Sequence, residues 1–159
     1  MKKIVFILAL PFLIGFSSCT EGETNEVQIE EGTFIFGSFN GFCQGNCTHL
    51  FKYENDHVFR DEMDRFDEDN FTFSSDAEDD IKEIAQRLFS EFPEFLKDSE
   101  QEVYGCPGCT DQSTLYIRLG ESESVQSWRL DSFEQEDWPQ ELKDYVRLLV
   151  TELDKIIIF

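Results

Sequence analysis

Histidine occurs only twice in this chain of 159 residues, and lysine and arginine together number 13 against 34 aspartates and glutamates. With only His49 and His57 available, a three-histidine metal site is excluded and a histidine-based triad is hard to build. The formal net charge of −21, with no cluster of Lys and Arg, excludes a nucleic-acid binder, because such proteins neutralise phosphates with grouped basic side chains. A Gly-rich phosphate loop, a Gly-x-Ser-x-Gly elbow and a His-Glu-x-x-His pair are also missing. Asp64 to Phe73 lacks the Asp-x-Asp-x-Asp-Gly pattern of a Ca²⁺ loop. What the chain has instead is apolar bulk: 40% of residues are hydrophobic and 17 are Phe, enough to offset the entropy of ordering. The length fits one domain with a tail.

The N-terminus reads as a targeting segment. Lys2 and Lys3 precede thirteen uncharged residues, Ile4 to Phe16, which are too few to span a bilayer, and then come Ser17, Ser18 and Cys19. Two serines before a cysteine resemble the lipobox of bacterial lipoproteins, with Phe16 in place of the usual leucine; the resemblance implies cleavage before Cys19 and lipidation of its thiol. Residues 1–18 are thus expected as a lipoprotein signal peptide, 19–32 as an acidic tether and 33–159 as the folded domain. Loss of residues 1–18, which carry two lysines and no acid, leaves a net charge of −23 over 141 residues. Such a domain is repelled by anionic lipid, so its membrane contact is expected through the N-terminal lipid alone. The acids Glu21, Glu23 and Glu26 just after Cys19 also resemble the surface-export signal of Bacteroidetes lipoproteins.

In the domain, Thr33 to Phe39 is rich in β-branched and aromatic residues and predicts a strand, broken by Asn40, Gly41 and Gly45. His49, Phe51 and Tyr53 alternate, and Asn55-Asp56 separates them from His57 to Asp61, which predicts a hairpin with Phe59 continuing the buried face. Twelve acids fall between Glu54 and Asp80, with Phe66, Phe71 and Phe73 as the candidates for burial, so this region reads as a solvated loop or frayed strand. Ser75 and Glu78 have capping-box spacing ahead of a helix over residues 76–91, limited by Pro93. Leu115, Ile117 and Leu119 alternate into a turn, and the chain returns with Trp128 and Leu130 inward as a second hairpin. Pro139 opens a final helix whose apolar stripe runs from Leu142 to Ile156. Trp138, Phe92 and Phe95 read as core rather than as a docking patch. The order strand, hairpin, helix, hairpin, helix predicts an α+β domain: an antiparallel sheet of two hairpins plus an N-terminal strand, with two helices packed on one face.

With Cys19 assigned to lipid, Cys43, Cys47, Cys106 and Cys109 remain as two short-spaced pairs. In an exported protein an even number reads first as disulfides, and three pairings are open. Local pairing is favoured because each pair lies in its own glycine-bearing turn. The alternative is a Zn²⁺ site built from the same four thiolates, with His49 able to replace one of them. Thiol exchange is a further alternative, but Cys109 leads into a strand rather than a helix N-terminus, so the dipole that lowers a thiol pKa is missing. Asp67, Glu68 and Asp69, or Asp79 and Asp80, would serve a carboxylate-dependent hydrolase; a solvated acidic face is the commoner meaning of such runs.

The segments Gly41-Phe42-Cys43-Gln44-Gly45-Asn46-Cys47-Thr48 and Tyr104-Gly105-Cys106-Pro107-Gly108-Cys109-Thr110-Asp111-Gln112 resemble motifs of small, uncharacterised Bacteroidetes lipoproteins. The resemblance runs over most of Phe34 to Leu153 and implies an outer-membrane envelope location, with no activity to carry across. Together these readings lead to a lipid-anchored cell-envelope domain, non-enzymatic and without a cofactor, that binds an envelope protein or serves a structural role.

Overall fold

The structure, a computed structural model, describes residues 32–109, 111–121 and 124–157. The signal segment, Cys19 and the tether up to residue 31 lie outside the described residues. Ten elements follow in order: β1 (Thr33–Phe39), β2 (Thr48–Glu54), β3 (His57–Asp61), β4 (Phe73–Asp76), α1 (Asp79–Ser90), α2 (Glu94–Lys97), β5 (Val103–Tyr104), β6 (Thr114–Glu121), β7 (Ser124–Asp131) and α3 (Gln140–Ile156). The domain is α+β, and its seven strands form one sheet in the order β4-β3-β2-β1-β6-β7-β5. All pairings are antiparallel except β5 with β7. Relative to the expected strand and two hairpins, the sheet gains a short strand at each edge, and a one-turn helix, α2, follows Pro93.

The core follows from period-two alternation. β1 lies between β2 and β6, and its aromatic and β-branched side chains are buried on both faces. Phe34 and Phe36 point to the helix side with Phe51, Val58, Leu115, Ile117, Leu119, Trp128 and Leu130. Against them pack Ile81, Ala85 and Leu88 of α1, Leu96 of α2 and the α3 stripe from Leu142 to Leu153. Trp138 and Phe92 belong to this core, as expected. Gly37 leaves room for the neighbouring strand: a Cβ there would lie 2.1 Å from the His49 carbonyl oxygen. The α3 side chain Glu152 is buried and held by Arg87 at 2.9 Å and Lys155 at 2.6 Å.

Three expectations change in the structure. Asn55 and Asp56 both take positive φ, 51° and 65°, which makes a two-residue turn matched to strand twist. Such a turn pairs Tyr53 with Val58 and Lys52 with Phe59, so the buried face passes from odd to even residue numbers, and Val58, not Phe59, enters the helix-side core. Ser75 does not cap α1; it lies in β4 opposite Arg60, and the helix begins at Asp79 without a side-chain cap. The acidic segment between β3 and β4 is a loop whose acids Glu62, Asp64, Asp67 and Asp69 are exposed, as expected, but whose aromatic side chains are not. It crosses the back of the sheet as a strap, with Met63, Phe66 and Phe71 over Ile35, Leu50 and Tyr116. The Glu68 carboxylate accepts hydrogen bonds from Tyr116 Oη at 3.1 Å, Ser127 Oγ at 2.8 Å and the Arg129 guanidinium. Burial acts to raise the Glu68 carboxyl, but the bonds from Ser127 and Arg129 outweigh it and hold the group below the ordinary glutamate value.

Candidate functional site

Strand register gathers the cysteine turns at one end of the sheet. Phe39 pairs with both Thr48 and Thr114, and Thr114 pairs with Asp131, so the end of β1, the starts of β2 and β6 and the end of β7 lie side by side. β5 runs parallel to β7 and delivers the chain after Tyr104 to the same end. Thr33 pairs with Gly120 at the opposite end.

Each pair of cysteines closes locally. Cys43 is bonded to Cys47, with Cα atoms 5.8 Å apart, and Cys106 to Cys109, with Cα atoms 5.5 Å apart. The sulfurs therefore form two separate disulfides rather than the four-thiolate cluster of the zinc alternative. Among the described residues no group of three His, Cys, Asp or Glu side chains is placed to hold a metal ion.

Hydrogen bonds pin the two disulfide loops and join them. Asn40 accepts a bond from Phe42 N–H on its side-chain oxygen at 2.9 Å, closing an Asx turn. Its amide nitrogen donates to the Asp111 carbonyl in the other loop at 3.2 Å. Asn40 N–H donates to the Cys47 carbonyl, and Cys47 N–H to the Asp64 carbonyl of the strap. Asp131, buried at the end of β7, receives the N–H of Cys106 at 3.2 Å and that of Phe133 at 3.0 Å, which fixes the second disulfide loop to the segment after β7. Gly105, at φ 76°, allows that approach, since a Cβ there would lie 2.7 Å from the Asp131 Cβ.

On this frame stand two exposed aromatic side chains, Phe42 at 76% and Phe133 at 65% exposure. Beside the first disulfide lies a hollow of about 280 Å³ lined by Phe39, Asn40, Cys43, Cys47, Arg65 and Phe66. A larger one of about 510 Å³ opens on the helix side between β2, β3 and the ends of α1 and α3, lined in part by His49, Arg60, Asp61, Asp80 and Lys155. Burial first, and the Arg60 charge second, hold the His49 imidazole below its ordinary pKa. Its carboxylates are engaged locally: Asp61 accepts from Leu50 N–H and, at 3.0 Å, from Met63 N–H, and Asp80 accepts from Ile81 N–H at 2.9 Å. Asp67 likewise closes its own turn through Asp69 N–H and Asn70. His57 sits beside the Asn55-Asp56 turn at the other end of β2 and β3, so the structure does not bring the two histidines together.

Sequence reasoning found the four cysteines and missed the residues that organise them. Asn40 just before a turn is a readable Asx signal, and Phe42 between a glycine and a half-cystine is out of place in a core. Glu68 carries no local signal, since its side-chain partners lie 48 to 61 positions away, and Asp131, though it closes a local turn with Phe133 N–H, reaches Cys106 N–H across 25 positions. Comparison with family models, with curated proteins and with solved structures finds no match.

Proposed function

We propose that this chain is a lipid-anchored domain of the bacterial cell envelope, held to the outer membrane through Cys19, and that it is a non-enzymatic binding module whose binding end is the disulfide-clamped end of the sheet. The observation that carries the reading is the exposure of Phe42 and Phe133 on loops fixed by two disulfides and by the Asn40 and Asp131 hydrogen bonds. Exposed aromatic anchors give large contact area, and pinning their loops beforehand lowers the entropic cost of association. β1 begins at Thr33, and its seven residues separate that point from the loops by about 20 Å. Their partner is a protein or other envelope component with an apolar recess for the two rings.

The test is site-specific photo-crosslinking in cells with benzoylphenylalanine at position 42, 133 or 125. Val125 is 46% exposed and pairs with Gly120 near the Thr33 end, so it serves as the control. The expected result is one adduct of the same mass from positions 42 and 133 and none from 125. Adducts at 125 alone, or none at 42 and 133, overturn the reading.

A further inference from the structure

The strap over the back of the sheet has the chemistry of a bound ligand. Phe66 stacks on Phe39 with ring centroids 3.9 Å apart and meets Tyr116 edge-on at 5.0 Å. Two residues on, Glu68 places its carboxylate among Tyr116, Ser127 and Arg129, and its carbonyl oxygen accepts from Arg118 at 3.3 Å. The Arg118 guanidinium also lies over the Phe71 ring, 5.4 Å from its centroid. Glu68 reaches that surface from the turn that Asp67 closes with Asn70. Charge matches at Glu68, whose carboxylate pairs with Arg129 and whose carbonyl accepts from Arg118, while Glu62, Asp64, Asp67 and Asp69 of the strap are exposed.

The fit is incomplete. Thr48 Oγ1 and Arg118 Nε are buried without a hydrogen-bond partner. Register puts both on this face, Thr48 opposite Phe39 and Arg118 opposite Ser127, and Thr48 is only 1% exposed. A buried polar group left unpaired is costly, and a better-matched occupant would recover that cost. Glu62 N–H bonds to Thr72, tying the two ends of the strap to each other, and its backbone meets the rest of the protein at the Asp64 carbonyl, which accepts from Cys47 N–H, and at the Glu68 carbonyl, which accepts from Arg118. Its middle is otherwise held through the side chains of Phe66, Glu68 and Phe71.

We propose that this sheet face is a receptor for acidic peptide segments of partner proteins that carry an aromatic residue two positions before a carboxylate, and that the strap of residues 62–72 is its built-in occupant. The covalently attached strap sets the threshold, since an intramolecular occupant competes at high effective concentration. A partner segment gains the face by pairing its aromatic ring and carboxylate as Phe66 and Glu68 do, and by satisfying the orphaned Thr48 and Arg118 groups. This surface is separate from the loop end, and its test is separate too.

The test uses the whole domain and a fluorescent synthetic peptide of residues 62–72. In the opened variant Phe66→Ser/Glu68→Ser the face itself is intact, and near-ultraviolet circular dichroism of the buried Trp128 and Trp138 reports its folding. The peptide is expected to bind the opened variant at least about tenfold more tightly than wild type, because the competent state is no longer a minor one. Adding Arg129→Ala is expected to remove that binding, and a peptide with its acids changed to lysine is expected not to bind. If the opened variant loses its tryptophan signal, the single variant Glu68→Gln takes its place in the same titration. Absence of saturable binding to a folded opened variant, equal binding to wild type, or binding of the lysine peptide overturns the proposal.

Discussion

Removing one disulfide at a time measures what holds the candidate binding end together. The Cys43–Cys47 bridge spans four positions and the Cys106–Cys109 bridge three. The loop-closure model gives about 2 kcal/mol of stability for rings this short, against about 4 kcal/mol for a crossed bridge closing a loop of some sixty residues. Alanine is the right replacement, since Cys47 is buried and a hydroxyl there would add an unpaired polar group. Cys43→Ala/Cys47→Ala and Cys106→Ala/Cys109→Ala should each lose about 2 kcal/mol, with an unchanged dependence on denaturant. The fourfold variant should lose about 4 kcal/mol, within a few tenths, because the Asn40 to Asp111 bond is the one direct link between the loops among the described hydrogen bonds. Urea unfolding followed by Trp128 and Trp138 fluorescence reads these losses. A loss near 4 kcal/mol from either double variant, or none from either, refutes the account of two short independent clamps.

Three further outcomes follow from the sheet and the strap. Gly37→Ala should lose about 3–5 kcal/mol, because its Cβ would meet backbone atoms of His49 and Leu50 on a neighbouring strand, whereas Gly41→Ala, with nothing within 4 Å, should stay within about 0.5 kcal/mol; the same urea titration separates them. The hydrogen bonds from Ser127 and Arg129 to the Glu68 carboxylate should protect the strap fully above the ordinary glutamate pKa, and the protection should be lost as pH falls through the lower folded-state value. Hydrogen exchange at Phe66 to Asn70 reads this, and Glu68→Gln should remove the pH dependence there. Asp61, raised mainly by burial, contributes the opposite sign: its carboxylate weakens the fold as pH rises from the ordinary aspartate value toward the raised one.

Much of the helix side was legible because it rests on period. Leu115, Ile117 and Leu119, then Trp128 and Leu130, alternate as a half-buried hairpin must, and the α3 stripe repeats every three to four residues. The error at Phe59 came from counting parity straight through a two-residue turn, which exchanges odd for even. Ser75 failed as a cap because hydrogen bonding to β3 outweighed a local capping preference. Most of the acids between β3 and β4 are solvated as their run suggests, and Glu68 departs from the run because Arg118 and Arg129, about fifty and sixty positions away, lie beside it. The cysteine turns were readable as a framework, while the aromatic side chains they display depend on Asn40 and Asp131 meeting distant loops.

The account rests on dividing five cysteines into one anchor and two staples. The intact mass of the protein isolated from the membranes of its own cells, taken without reductant, tests that division most directly. The account predicts a chain that begins at Cys19, carries acyl groups on that residue, and is lighter by two hydrogens for each of the two disulfides than its reduced form. A chain that retains residues 1–18, an unacylated Cys19, or domain cysteines present as free thiols or holding zinc would contradict it.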